Sequence, residues 1–325
     1  MKILIVLPNW LGDALMATPA IEHLAKLFPD AKFTFVGSFV AVEAIKYFPQ
    51  AENSFIDNTK KEGNRLKATY NFAKKLGSFD LAITFRTNIY SSLLLKFTNS
   101  DITIGRKAWH SSVFLKHSVK LSRQEHLSEQ YNNLVNILKK EPSSAPLSKL
   151  YIPKFDYKQQ TLGINPGATY GSAKRWYPDK FAEVAKAFSH KYQIIIFGGP
   201  AEVEMGADIE KRLIDMGITN YLNLAGKTNI KELCSRIGGL DIFVTNDSGP
   251  MHVAAAYQVP TVSIFGPTRH FETCQWKNEK SKIVRRSDVA CAPCMKRTCP
   301  LKHHECMTKI EAIDVINATN YLLKS

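Results

Sequence analysis

The chain has 325 residues, of which 45% are hydrophobic and 22% charged, with 43 Lys and Arg against 29 Asp and Glu. This is the balance of a soluble globular protein, long enough for two domains of about 150 residues each, and no apolar run approaches the roughly 20 residues of a membrane span. The cationic excess of 14 points to an anionic partner: nucleic acid, an anionic membrane surface or a phosphorylated substrate. The lysines are dispersed and form no recognised nucleic-acid module, so no nucleic-acid partner is expected.

Residues 2–8 read as a buried first strand. The apolar run stops at Pro8, with Asn9-Trp10-Leu11-Gly12-Asp13 following and no small-residue cleavage site in register, so a cytoplasmic location is expected. An amphipathic helix is predicted over 14–27, with Leu15, Ile21, Leu24 and Leu27 on one face. A strand at 32–37, helices near 40–47 and over 60–76, a strand at 80–85, a helix at 89–96, a strand at 101–105 and a helix within 122–139 follow. This βα alternation predicts a mostly parallel sheet with helices on both faces.

Residues 140–160, rich in Pro and Ser, have a linker composition, which places domains at 1–155 and 156–325. The second βα series runs through a strand at 161–165, helix 179–190, strand 193–197, helices 202–216 and 230–237, and a strand from Asp241 to Thr245. Asn246-Asp247-Ser248-Gly249 then make a tight turn into a helix opened by Pro250, and a strand follows at 261–265. The last helix, about 308–323, is placed against the first domain. Two α/β domains of similar size suit a cleft at which two substrates meet.

The chemistry-bearing residues gather where strands end and helices begin, a junction that collects phosphate because free N–H groups and the helix dipole face it. Asp13 in the first βα turn suits a general base or a helix N-cap. In 165–176 the small residues of Asn-Pro-Gly-Ala-Thr169-Tyr-Gly-Ser-Ala let backbone approach a ligand. Lys174 supplies charge, although the spacing is not that of a Walker loop. Glu202 after Gly198-Gly199 suits either ribose hydroxyls or a helix first turn, and His252 suits either a phosphate or an interior position. Cys291, Cys294, Cys299 and Cys306, with His303 and His304, are compatible with a structural zinc, but the second gap is not a CxxC and no metal is assigned. Disulfides are disfavoured in a reducing compartment.

Three blocks together resemble the ADP-heptose–lipopolysaccharide heptosyltransferases (glycosyltransferase family 9), and among them the heptosyltransferase II branch most closely. They are Pro8-Asn-Trp-Leu-Gly-Asp13 with Ala17-Thr-Pro-Ala20; Pro166-Gly-Ala-Thr-Tyr-Gly-Ser-Ala-Lys-Arg-Trp176; and Thr245-Asn-Asp-Ser-Gly-Pro-Met-His-Val-Ala-Ala255 with Phe265-Gly-Pro-Thr268. Their order spans nearly the whole chain. The resemblance implies a GT-B fold of two Rossmann-like domains, the first for the acceptor and the second for ADP-heptose. It implies an inverting single displacement with Asp13 as general base and no cofactor or divalent ion. Lys174, Thr169 and the N–H groups of Ser248 and Gly249 would stabilise the leaving ADP, Glu202 would hold the ribose, and Asp247 and His252 would line the heptose–diphosphate site. Tyr170 stands where a related member has a second hydroxyl, and that contact is not carried over. The acceptor implied is lipid A bearing Kdo and a first heptose. A monomer in peripheral contact with the inner membrane is expected, with Arg86 and Arg106 as acceptor contacts. Heptosyltransferases I and III on other core acceptors, and a sugar-nucleotide isomerase on the same scaffold, are the alternatives.

Overall fold

A computed structural model describes residues 1–324, which divide into two compact units meeting between Tyr151 and Ile152, against the boundary expected at 155. The Tyr151 hydroxyl donates to Glu22 Oε1 in the first unit (2.8 Å), whereas the Phe155 N–H donates to Ser235 O in the second (2.9 Å).

The first unit holds β1 (Lys2–Val6), β2 (Lys32–Gly37), β3 (Ala51–Ile56), β4 (Leu81–Thr84), β5 (Ile102–Arg106) and β6 (His117–Val119). They form one parallel sheet in the order β3-β2-β1-β4-β5-β6. Its helices are α1 (Leu11–Leu27), α2 (Phe39–Ile45), α3 (Arg65–Leu76), α4 (Ile89–Phe97) and α5 (Leu127–Asn136). The second unit repeats the plan with β7 (Thr161–Asn165), β8 (Gln193–Ile196), β9 (Tyr221–Asn223), β10 (Ile242–Asn246), β11 (Thr261–Phe265) and β12 (Ser281–Arg285), all parallel, in the order β12-β11-β10-β7-β8-β9. Helices α6 (Pro178–Phe188), α7 (Val203–Asp215), α8 (Ile230–Gly238), α9 (Gly249–Tyr257), α10 (His270–Thr273), α11 (Glu305–Thr308) and α12 (Ala312–Lys324) complete it.

Each sheet therefore has its strand order reversing at one place, β1/β4 in the first and β7/β10 in the second. Successive right-handed crossovers put helices on opposite faces there, which opens a crevice at the strands' carboxyl ends. The central strands are continuous apolar runs because both their faces are covered; every residue of β4, β7, β10 and β11 is buried. Separate cores result, one around Leu4, Val6, Val36 and Leu95, the other around Ile164, Trp176, Ile196 and Val244.

One expectation needs correction. Helix α1 starts at Leu11, three residues earlier than expected, with Trp10 as its N-cap, so Asp13 lies inside the first turn and is not the cap. Helix α12 packs on α6 and on β10–β12 of its own unit. Val315, Thr319 and Leu322 form the buried stripe responsible, and Val315 and Leu322 join the second core.

Candidate functional site

In the first unit the chain leaves β1 through Leu7-Pro8-Asn9-Trp10 and enters α1. The Ser38 hydroxyl, itself the N-cap of α2, donates to Asn9 O at 2.6 Å and fixes this turn. A cavity of about 280 Å³ opens beside it, lined by Asp13 from the first turn of α1, Arg86 from just after β4 and Arg106 from the end of β5. Parallel strands make this convergence, since their carboxyl ends share one edge of the sheet. Gln130 and Tyr131 of α5 line it as well. Tyr131 is buried, and its hydroxyl is held well above the ordinary tyrosine range, first by burial and then by the charge of Asp13, against an opposing effect of Arg106.

Arg86 is less available to a substrate than its position suggested. Its Nη1 pairs with Asp57 Oδ2 at 2.6 Å and its Nε donates to Leu7 O at 2.7 Å, while Nη2 is buried without a hydrogen-bond partner. Its Nε ties the end of β4 to the end of β1 and its Nη1 ties it to the end of β3, so Nη2 alone remains for a substrate oxygen. Asp57, just after β3, was missed in the sequence because its partner lies 29 residues away. Burial alone would raise the Asp57 carboxyl, but hydrogen bonds from Thr59 and the charge of Arg86 outweigh it and hold the group below its usual value. A depressed carboxyl contributes stability that is complete above the unfolded pKa and is lost as pH falls through the folded one. Asp57→Asn is therefore expected to cost about 3–5 kcal/mol at neutral pH, by leaving Arg86 buried and unpaired. Urea unfolding should show that difference shrinking as the pH is taken below the carboxylate range.

In the second unit the loop after β7 and the turn after β10 are tied by two buried asparagines. Asn165 Nδ2 donates to Gly167 O (3.1 Å) and lies within reach of the Ser248 and Thr245 hydroxyls (3.2 and 3.3 Å). Asn246 Nδ2 donates to Pro166 O at 2.7 Å, and its Oδ1 accepts from the Trp176 N–H at 3.2 Å. Between these ties sits the charged centre. Lys174 Nζ is 2.5 Å from Asp247 Oδ2, with side-chain exposures of 12% and 3%, and the Thr268 hydroxyl donates to the same oxygen at 2.6 Å. Lys174 Nζ also lies 4.7 Å from the centre of the Tyr170 ring.

Ser248 is the N-cap of α9, with Gly249 and Pro250 in its first turn, so the positive end of that helix dipole lies next to the ion pair. His252 is buried in the same helix and Thr169 is exposed on the loop. Glu202 is buried, and its Oε2 accepts from the Gly199 N–H at 2.6 Å, closing the β8–α7 turn. Its carboxylate packs against Gly167, where a Cβ would stand 2.6 Å from Glu202 Cδ. Glu202 therefore has a structural task, and only its Oε1 remains for a ribose hydroxyl. Among the described residues no three His, Cys, Asp or Glu side chains stand in metal-ligating geometry, and no helix is long and apolar enough to cross a membrane.

The fold is shared with solved glycosyltransferases. The structure of E. coli ADP-heptose lps heptosyltransferase II superposes with a TM-score of 0.82 at 24% identity, over 100% of this chain and 99% of that one. A glycosyl transferase family 9 structure from Veillonella parvula gives 0.85 at 23% identity, over 100% and 97%. Two Rossmann-like units, each with a parallel sheet, thus place the chain in the GT-B fold class. Residues 69–305 match the model of glycosyltransferase family 9 (heptosyltransferase). A Lipooligosaccharide heptosyltransferase 2 from Campylobacter jejuni is 40% identical over 100% of this chain and 99% of its own length. The chain belongs to glycosyltransferase family 9.

Proposed function

We propose that the chain transfers L-glycero-D-manno-heptose from ADP-heptose to the first heptose of the lipopolysaccharide inner core, with inversion, as a heptosyltransferase II. The observation that carries this is the 40% identity, over the full length of both chains, to the Campylobacter heptosyltransferase 2. The two sites supply the chemistry such a transfer needs. Asp13, beside a cavity with two arginines, takes the proton from the acceptor hydroxyl as its oxygen attacks the anomeric carbon. Lys174 and the amino end of α9 meet the charge that develops on the departing ADP, a task fixed cations and dipoles perform without a divalent ion. Thr169 and Glu202 Oε1 reach the nucleotide, and Asp247 and His252 the sugar–diphosphate. Arg106 and the Arg86 Nη2 meet phosphate or carboxylate on the acceptor.

The test is ADP release from ADP-heptose with Kdo-lipid A acceptors carrying zero or one heptose. Release that requires the one-heptose acceptor supports the proposal. Release on the heptose-free acceptor moves the assignment to heptosyltransferase I, and turnover of sugar nucleotide with no acceptor moves it to an isomerase.

The same proposal includes work as a monomer in the cytoplasm, on the inner face of the membrane that holds the acceptor. The segment between β5 and the residues after β6 supports membrane contact: Trp109 is 92% and Val113 74% exposed, beside exposed Lys107, Lys116 and Lys120. An exposed indole among cations suits an interface of anionic headgroups. Trp109→Ser with Val113→Ser is expected to weaken cosedimentation with anionic phospholipid vesicles several-fold, leaving turnover of a detergent-soluble truncated acceptor unchanged. Equal binding by variant and parent would remove this segment from the membrane contact.

A further inference from the structure

The four cysteines of the segment after β12 play no part in the chemistry above, yet they converge. Cys291, Cys294, Cys299 and Cys306 all line one small cavity of about 20 Å³, enough for a single atom or water. Its other walls include Ala173, Pro267, Pro300 and Leu301. All four thiols are free, and residues 286–304 form neither helix nor strand. Met295 and Lys302 in this segment hold positive φ (58° and 63°), an unfavourable backbone state for residues with side chains. Something other than regular hydrogen bonding has to keep it folded.

The two nearby histidines are already engaged. His304 Nε2 donates to Ala173 O at 2.8 Å, and its Nδ1 accepts from the Tyr177 hydroxyl at 2.9 Å. His303 Nδ1 accepts from the Glu305 N–H at 3.0 Å, which leaves the proton of a neutral ring on Nε2, 4.0 Å from Cys291 Sγ. Neither ring offers an open nitrogen, so the donor set is four sulfurs.

This segment also grips the loop that carries Lys174. The Ala173 N–H donates to Arg297 O at 3.0 Å, and the Tyr170 hydroxyl donates to Met295 O at 2.8 Å. A Cβ at Gly171 would stand 2.2 Å from Arg297 O, so only glycine allows the two backbones this close. The Met295 N–H donates to Pro267 O at 2.8 Å, next to the Thr268 that bonds Asp247.

We propose that Cys291, Cys294, Cys299 and Cys306 bind one zinc ion as a four-thiolate structural site that braces the Lys174 loop. Each thiol gives its proton to solvent as its sulfur bonds Zn²⁺, leaving a net charge of −2 in a segment that also carries Lys296, Arg297 and Lys302. The sulfurs turn inward about their side-chain bonds to reach the Zn–S distance of about 2.3 Å. The metal site stands on the cysteines alone; its bracing effect on turnover rests on the role proposed for Lys174.

The experiment is elemental analysis of the purified full chain after dialysis, with X-ray absorption at the zinc edge. About one zinc per chain in a shell of sulfur alone is expected. Cys294→Ser with Cys299→Ser should lose the metal, whereas Cys234→Ser, in α8 and outside the cavity, should keep it. Where the double variant folds, the KM for ADP-heptose should rise about 10-fold or more, as for a lost supporting contact at a site. If it does not fold, the parent's metal content and sulfur shell still decide the matter. Parent protein without zinc, iron in its place, nitrogen in the shell, disulfides among these four cysteines by mass spectrometry, or zinc retained by the double variant would each overturn the proposal. If zinc is present but the acceptor tests fail, the metal site survives and only its stated purpose changes.

Discussion

Asp13→Asn is expected to lower kcat on the one-heptose acceptor by about 10²- to 10⁴-fold, the usual contribution of a positioned general base. The KM for ADP-heptose should hardly move, since the nucleotide contacts proposed above belong to the other unit. The fold should survive as well. Trp10, not Asp13, occupies the N-cap of α1, so the substitution takes no cap from the helix, and a first-turn carboxylate facing the helix dipole is worth about 0.3–1 kcal/mol. Tyr131 is poorly suited to replace it as the base, because burial holds its hydroxyl above the ordinary tyrosine range. Stopped assays of ADP release, with thermal unfolding as control, check both halves. Undiminished turnover would return Asp13 to a helix-dipole role.

Lys174→Met carries the second large effect, and here stability and turnover have to be separated. The substitution removes the cation proposed to meet the departing diphosphate, a loss of about 10²- to 10³-fold in kcat by analogy with lost oxyanion donors. It also strands Asp247, which is 97% buried, for about 3–5 kcal/mol of stability. Lys174→Met combined with Asp247→Leu replaces the pair by apolar groups, and such replacements are often neutral or stabilising. The double variant should regain most of the lost stability and none of the lost rate. Denaturant unfolding and steady-state assays on the three proteins decide it. Recovery of turnover together with stability would mean that the pair serves the fold alone.

The central strands were legible because burial on both faces leaves an unbroken apolar run, as in Ile3 to Leu7 or Ile194 to Phe197. Four strands were not foreseen: β3, β6, β9 and β12. Each is an edge strand of its sheet. Ala-Glu-Asn-Ser-Phe-Ile of β3 is mostly exposed, and its pairing with β2 is a backbone matter that leaves little trace in side chains. The site divides in a similar way. Asp13, Lys174 and Asp247 could be singled out as candidates because strand ends followed by helix starts are visible as sequence patterns. The partners that set their surroundings, Asp57 for Arg86, Thr268 for Asp247 and Asn165 for Ser248, come from distant segments, and no local pattern announces them. For Glu202 the first-turn position was legible but the packing against Gly167 was not, since that carbon–carbon contact exists only once the loop after β7 has folded beside it.

Each half of the chain has its own sheet and its own apolar core, and this bears on how the protein melts. Cooperative unfolding belongs to a core, so heating should give two overlapping transitions and no single melting temperature will describe the whole. A ligand stabilises only the unit whose native state it binds, by an amount set by its concentration relative to its Kd. Sugar nucleotide would then move one calorimetric peak and leave the other in place, making the thermogram a map of which half holds which substrate.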